Sequence, residues 1–248
     1  MRCIKGVIFD FGGVLTETCW NSDIIAELVK KGLEEEGVKL KDDFKKKFVK
    51  KLFLKFKHVL QTGIEEKMED IIREFLEEDK IIYNEKAIKR AMLEINKAPF
   101  CKIRPNVEKV LRELKEMGIK LGVISNTPSD FPRKILESKG LIKYFDVIIL
   151  SCEVRYRKPL KEIYKIALDR LGLLPEEVIF VGDTLQIDIK GAKSVGMISV
   201  YIVEGDPEMR KNDALLMRIL GNPPKPDFII KDLSEVVEIV RNINRHCK

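Results

Sequence analysis

Histidine is nearly absent from this 248-residue chain, occurring only at His58 and His246. That leaves almost no room for a Ser-His-Asp triad or a His-ligated metal centre, since both need imidazoles at defined positions. Long apolar runs are missing too, and no stretch approaches the ~20 residues that a membrane span requires. Asp10 and Glu17 interrupt the region where a secretory leader would carry its apolar segment, so none is expected. The five cysteines, Cys3, Cys19, Cys101, Cys152 and Cys247, never form a C-x-x-C pair. Scattered and odd in number, they read as reduced thiols of a cytoplasmic protein. Glutamine occurs only at Gln61 and Gln186 while lysine and glutamate abound. That bias is typical of heat-adapted proteins, so a thermostable molecule is expected.

What is present bounds the answer further. Hydrophobic residues make up 45% of the chain, enough for a full core, as one large domain or a core with a smaller lobe. Charged residues reach 35%, and 46 basic against 40 acidic residues leave a formal net charge of +6. This mild excess suits anionic small molecules. It does not call for nucleic acid, because no dense basic tail with interleaved aromatics exists.

Short Val/Ile/Phe runs recur at about 4–10, 120–125, 145–150, 177–182, 198–203 and 227–231. They are solid rather than alternating, the pattern of strands buried on both faces in a parallel sheet. Between them lie helical stripes over 106–117, 160–171 and 233–244. Pro105 suits the first turn of one, and Asp232 with Glu235 a capping start of another. Alternating strands and helices predict a doubly wound α/β core.

Residues 17–98 break that rhythm. Apolar residues there fall at helical spacing, as in Phe44, Phe48, Leu52 and Phe56, and Thr62 with Glu65 resembles a capping box. The expectation is an all-helical lobe inserted after the first strand, with the α/β core formed by 1–16 and 99–248. Residues 45–57 (KKKFVKKLFLKFK) predict an amphipathic helix with a solvated lysine face, or a face that steers anions. Trp20, at the junction with the lobe, is a candidate for hinge packing or for substrate contact. The long connection 204–226 carries no chemical signal beyond a short helical pattern.

In open parallel sheets, ligands bind at the carboxyl ends of the strands. The first strand ends in Asp10, the second in Ser125-Asn126-Thr127 and the fourth in GDTLQID, which supplies Asp183 and Asp188. Arg157-Lys158-Pro159 follows the third. Asp10, Asp183 and Asp188 together would repel one another without a cation, and oxygen donors with no His or Cys select a hard ion such as Mg²⁺. Lys158 and the Ser125 hydroxyl complete an anion pocket, and Asn126 is a weaker candidate for it. Asp10 then suits a nucleophile that becomes an aspartyl-phosphate.

This ordered set resembles the haloacid dehalogenase superfamily, matching its motifs at Asp10, Ser125, Lys158 and Asp183/Asp188. The resemblance implies a Rossmann-like core, a helical cap that opens and closes over the site, a Mg²⁺ cofactor and a small phosphorylated substrate. No nucleic acid or membrane partner is implied, and monomer and dimer stay open. It also implies that Gly12 lends its backbone carbonyl to the metal. One departure stands out: the family usually has a second Asp at that position as general acid and base, which glycine cannot replace. The alternatives are a dehalogenase, whose halide leaves without a proton, and a non-catalytic member that binds a phosphorylated ligand or a protein.

Overall fold

The apolar runs become the strands of one parallel sheet in the computed structural model, which describes residues 3–17, 20–97, 101–203 and 213–247. The strands are β1 (Gly6–Phe9), β2 (Lys120–Ser125), β3 (Val147–Leu150), β4 (Val178–Gly182), β5 (Ile198–Ile202) and β6 (Phe228–Ile230), in the order β3-β2-β1-β4-β5-β6. β1 lies at the centre, with Phe9 opposite Val123 of β2 and Val181 of β4. Every residue of β1 and β4 is buried, as continuous apolar runs require when both faces are covered. β6 departs from that pattern. It is an edge strand, and Ile229 stays 59% exposed.

Along the chain, four helices separate β1 from β2: α1 (Ser22–Glu35), α2 (Phe44–Thr62), α3 (Met68–Glu78) and α4 (Glu85–Lys97). They bury a core of their own. Phe44, Phe48 and Phe75 meet there with ring centroids 5.2–5.5 Å apart. The capping box expected at Thr62 does not form. Thr62 is the last residue of α2, and Gly63 ends that helix in the left-handed region at φ 71°, so Glu65 is free to point elsewhere.

The remaining helices are α5 (Val107–Glu116), α6 (Phe131–Ser138), α7 (Ser151–Val154), α8 (Lys161–Leu171), α9 (Lys190–Val195), α10 (Asp213–Leu220) and α11 (Glu235–Arg245). Side chains alternate across each strand. Val7 and Phe9 therefore join α5 and α11 on one face, while Ile8 joins α8 and α9 on the other. Pro105 is not in the first turn of α5 as expected; Asn106, at φ 66°, precedes Val107 and sets the start. At α11, Glu235 accepts from the Asp232 N–H at 2.9 Å, one half of the expected capping start, while the Asp232 carboxylate accepts from Ser234 N at 2.8 Å and Ser234 is the N-cap. The connection after β5 contains α10, whose Leu216 packs with Leu60 of α2 and Ile187; residues 204–212 of that connection lie outside the described residues.

Cys101 is disulfide-bonded, contrary to the expectation of reduced thiols throughout. Cys3 and Cys152 are not in disulfides, and Cys19 lies outside the described residues. Among the described residues, no helix is long and apolar enough to cross a membrane.

Candidate active site

β1 delivers Asp10 to the carboxyl edge of the sheet. Its N–H donates to Val181 O at 2.9 Å, carrying the β1–β4 ladder one residue past the strand. Its side chain caps the next turn by accepting from Phe11 N at 2.6 Å. Phe11–Leu15 is that turn, and Gly13 needs its glycine there, with φ 72°. Gly12 does not: φ −71° and ψ 135° lie where any residue is comfortable. The missing side chain at position 12 is therefore not a demand of the backbone.

β4 ends beside β1 and supplies the other two acids. The Asp188 carboxylate accepts from the N–H groups of Asp183 (3.1 Å) and Thr184 (3.0 Å), folding Leu185–Ile189 into a wide helical turn. A side chain on Gly182 would begin 2.2 Å from the Asp188 Cβ, so only glycine lets the turn close this tightly. Beneath it, the Tyr164 hydroxyl donates to the carbonyls of Ile187 (3.1 Å) and Asp188 (3.2 Å). The result is one cluster: oxygens of Asp10, Asp183 and Asp188 lie within 4.8 Å of one another.

Lys158 enters the cluster from the segment after α7. Its ammonium lies 2.7 Å from Asp10 and 2.7 Å from Asp188, with the side chain buried. Burial pulls its pKa down, but the two carboxylates outweigh that and raise it. Burial pushes the Asp10 carboxyl up to about 7, with Lys158 pulling the other way. Asn126 accepts from Lys158 N at 2.8 Å and donates to Lys158 O at 3.0 Å, gripping the lysine's backbone with both amide atoms. Ser125, the last residue of β2, is buried and lines the same cavity.

Three carboxylates thus gather beside one ammonium on the cavity floor. Their oxygen-only donor set fits a hard divalent cation such as Mg²⁺, which would relieve the surplus negative charge.

The cavity above the cluster measures about 660 Å³. Its floor is the strand ends, and its walls are α2, the start of α1 and the segment around Met68. Trp20 lines the cavity and packs on the four-helix core, with Nε1 donating to Ser22 Oγ at 3.1 Å.

Sequence spacing did not identify Glu65 as a site residue. It is 2% exposed, pairs with Arg157 and accepts from Ser151 Oγ at 2.5 Å. Its N–H donates to Arg155 O at 2.7 Å, and Arg157 N–H to Gly63 O at 2.9 Å. A short antiparallel strap thus ties the helical insertion to the residues just before Lys158. No local signal announces a contact 92 residues apart.

Comparison with known proteins agrees with this geometry. Residues 4–196 match the haloacid dehalogenase-like hydrolase model. The chain is 30% identical, over 98% of its length and 99% of the relative's, to a glyceraldehyde 3-phosphate phosphatase of Methanocaldococcus jannaschii. It is 29% identical, over 94% of its length and all of the relative's, to a phosphorylated carbohydrates phosphatase of Thermotoga maritima. Among solved structures, a HAD phosphatase from Thermococcus onnurineus superposes with a TM-score of 0.61 at 25% identity, covering 96% of this chain and 98% of that one. With the acid cluster, the buried lysine and the parallel sheet in place, the chain belongs to the haloacid dehalogenase-like hydrolase family.

Proposed function

We propose that this protein is a Mg²⁺-dependent phosphohydrolase of small phosphorylated metabolites, working through an aspartyl-phosphate at Asp10. The observation that carries this is Lys158, buried between Asp10 and Asp188 at 2.7 Å from each, beside a third acid. In this reading 1–16 and 99–248 form the hydrolase core, and 17–98 form the cap. The relatives named for phosphatase activity on small phosphorylated compounds support the same class of substrate.

Asp10 attacks phosphorus, the ester P–O bond breaks, and the leaving oxygen carries the electron pair away. Water then cleaves the acyl-phosphate and frees inorganic phosphate and the Asp10 carboxylate. Lys158 orients Asp10 and, with the Ser125 hydroxyl, holds the phosphoryl oxygens. Asn126 keeps Lys158 in place, and Trp20 meets the body of the substrate. Asp10, Asp183, Asp188 and the Gly12 carbonyl would hold Mg²⁺. Bound there, the ion offsets the repulsion between carboxylate and phosphate.

Position 12 offers no acid to protonate the leaving oxygen. General acid–base help is worth roughly 10²–10⁴-fold, so substrates with good leaving groups are favoured. The same absence suits carbon–halogen cleavage, although the retained Asp183 and Asp188 weigh toward phosphate. A screen of sugar, nucleotide, acyl and aryl phosphates, with and without Mg²⁺ at elevated temperature, tests the proposal. Mg²⁺-dependent phosphate release supports it. Chloride release from a 2-chloroacid would establish the dehalogenase instead. Binding of phosphate compounds without turnover would establish a non-catalytic member.

A further inference from the structure

Six of the seven lysines of α2 fall into two sets; the seventh, Lys57, lies outside the cavity lining, 6.0 Å from the Phe53 ring. Lys45, Lys47, Lys51 and Lys55 each pair with a carboxylate of the helical insertion, at 3.0 Å to Glu27, 3.1 Å to Asp79, 2.7 Å to Glu74 and 2.6 Å to Glu66. Lys46 and Lys50, one helical turn apart, line the cavity and have no carboxylate partner among the described residues. The other cations on the cavity wall are spoken for: Lys55 by Glu66 and Glu74, Arg157 by Glu65, and Lys158 by the acid cluster. Two like charges side by side on one helix face repel each other. Both are exposed at the cavity wall, and neither has a compensating acid within ion-pair distance among the described residues.

Their position along α2 is defined. Leu60 packs against Ile187, next to Asp188, and so marks the end of the helix nearest the acids. At 1.5 Å per residue, Lys50 lies about 15 Å along the helix from that contact. Between the two ends the helix shows apolar groups to the cavity: Val49, Phe56 and Phe53, the last 51% exposed. A phosphorylated three-carbon compound would occupy only a fraction of the roughly 660 Å³ and would leave these groups facing water.

We propose that Lys46 and Lys50 form a second anion subsite. The substrates best matched to the cavity are then elongated phosphate monoesters with an apolar middle and a second anionic group, carboxylate or phosphoryl, at the far end. This rests on the phosphohydrolase reading of the cavity, and its test is separable from that reading.

Calorimetric titration in Mg²⁺ buffer of wild type and of the double variant Lys46→Gln/Lys50→Gln provides that test. The probes are biphenyl-4-phosphonate, its 4′-carboxy derivative and biphenyl-4,4′-bisphosphonate. Wild type should bind at least one doubly anionic probe about tenfold more tightly than the mono-anionic one, the scale of two partly exposed ion pairs. Which probe gains names the anion. The advantage should collapse in the double variant and in high salt, and should survive Lys47→Gln, because Lys47 and its partners Asp43 and Asp79 do not line the cavity. Equal affinities in wild type, or an advantage that persists in the double variant, would overturn the subsite. Hydrolysis of 4-nitrophenyl phosphate reports separately: turnover without the preference leaves the phosphohydrolase standing and removes the subsite, whereas the preference without turnover does the reverse.

Discussion

At the scale of the residue, Gly12 is the informative position. Sequence alone reads the pair Gly12-Gly13 as one tight turn, but the backbone separates them. Gly13 is left-handed, and Gly12 is in an ordinary extended conformation. A carboxylate at position 12 is therefore compatible with the backbone conformation there. If glycine simply removes the leaving-group acid, aryl phosphates should turn over faster than alkyl phosphates by about 10²–10⁴-fold. Gly12→Asp should then raise alkyl phosphate turnover by about tenfold or more while changing aryl turnover little. Steady-state rates on a matched aryl and alkyl pair check both outcomes. Equal rates on the pair, together with no response to Gly12→Asp, would mean that another group already supplies the proton.

At the scale of the element, the strap between 63–65 and 155–157 holds the segment that presents Lys158. Its geometry depends on Gly63, at φ 71°, where an added Cβ would begin 2.4 Å from the Leu160 side chain. Gly63→Ala should cost about 1–2 kcal/mol from the left-handed backbone alone, more once Leu160 is displaced. It should also lower kcat, because Arg157 and Lys158 move with the strap. Thermal unfolding and turnover together check this; a variant as stable and as active as wild type would show that the strap is incidental. This element was illegible in the sequence, where Thr62 and Glu65 looked like a helix start. The elements carrying the acids were legible, because a solid apolar run ending in an acid has few folded solutions. Lys158 was found through its neighbouring proline and the ordered motifs. Glu65 and Arg157 were missed as a pair because nothing local requires two such residues, far apart in the chain, to meet.

At the scale of the whole molecule, the doubly wound sheet and its helical insertion were readable from the change of hydrophobic period at 17–98. The disulfide at Cys101 and the exposed face of β6 were not, since pairing and edge position depend on tertiary neighbours. The insertion is held partly by charge. Glu94, with its side chain 1% exposed, meets Lys97 at 2.5 Å and Lys31 at 2.9 Å. Those hydrogen bonds lower its pKa from 4.5 to about 2. A carboxyl depressed on folding contributes its full stability above its unfolded value and loses it as pH falls through its folded value. Glu94→Gln should therefore melt several degrees below wild type at neutral pH, and the gap should close between pH 4.5 and about 2. Melting curves of both proteins across that range check the sign; a gap that widens toward acid would contradict it.

The account as a whole turns on whether the gathered acids hold a divalent cation beside a reactive Asp10. The most direct measurement is hydrolysis of 4-nitrophenyl phosphate after chelation and again after Mg²⁺ is restored, with Asp10→Asn run in parallel. Activity should vanish with the chelator, return with Mg²⁺, and be absent from Asp10→Asn under every condition. Hydrolysis that ignores the chelator, or that survives Asp10→Asn, would contradict it.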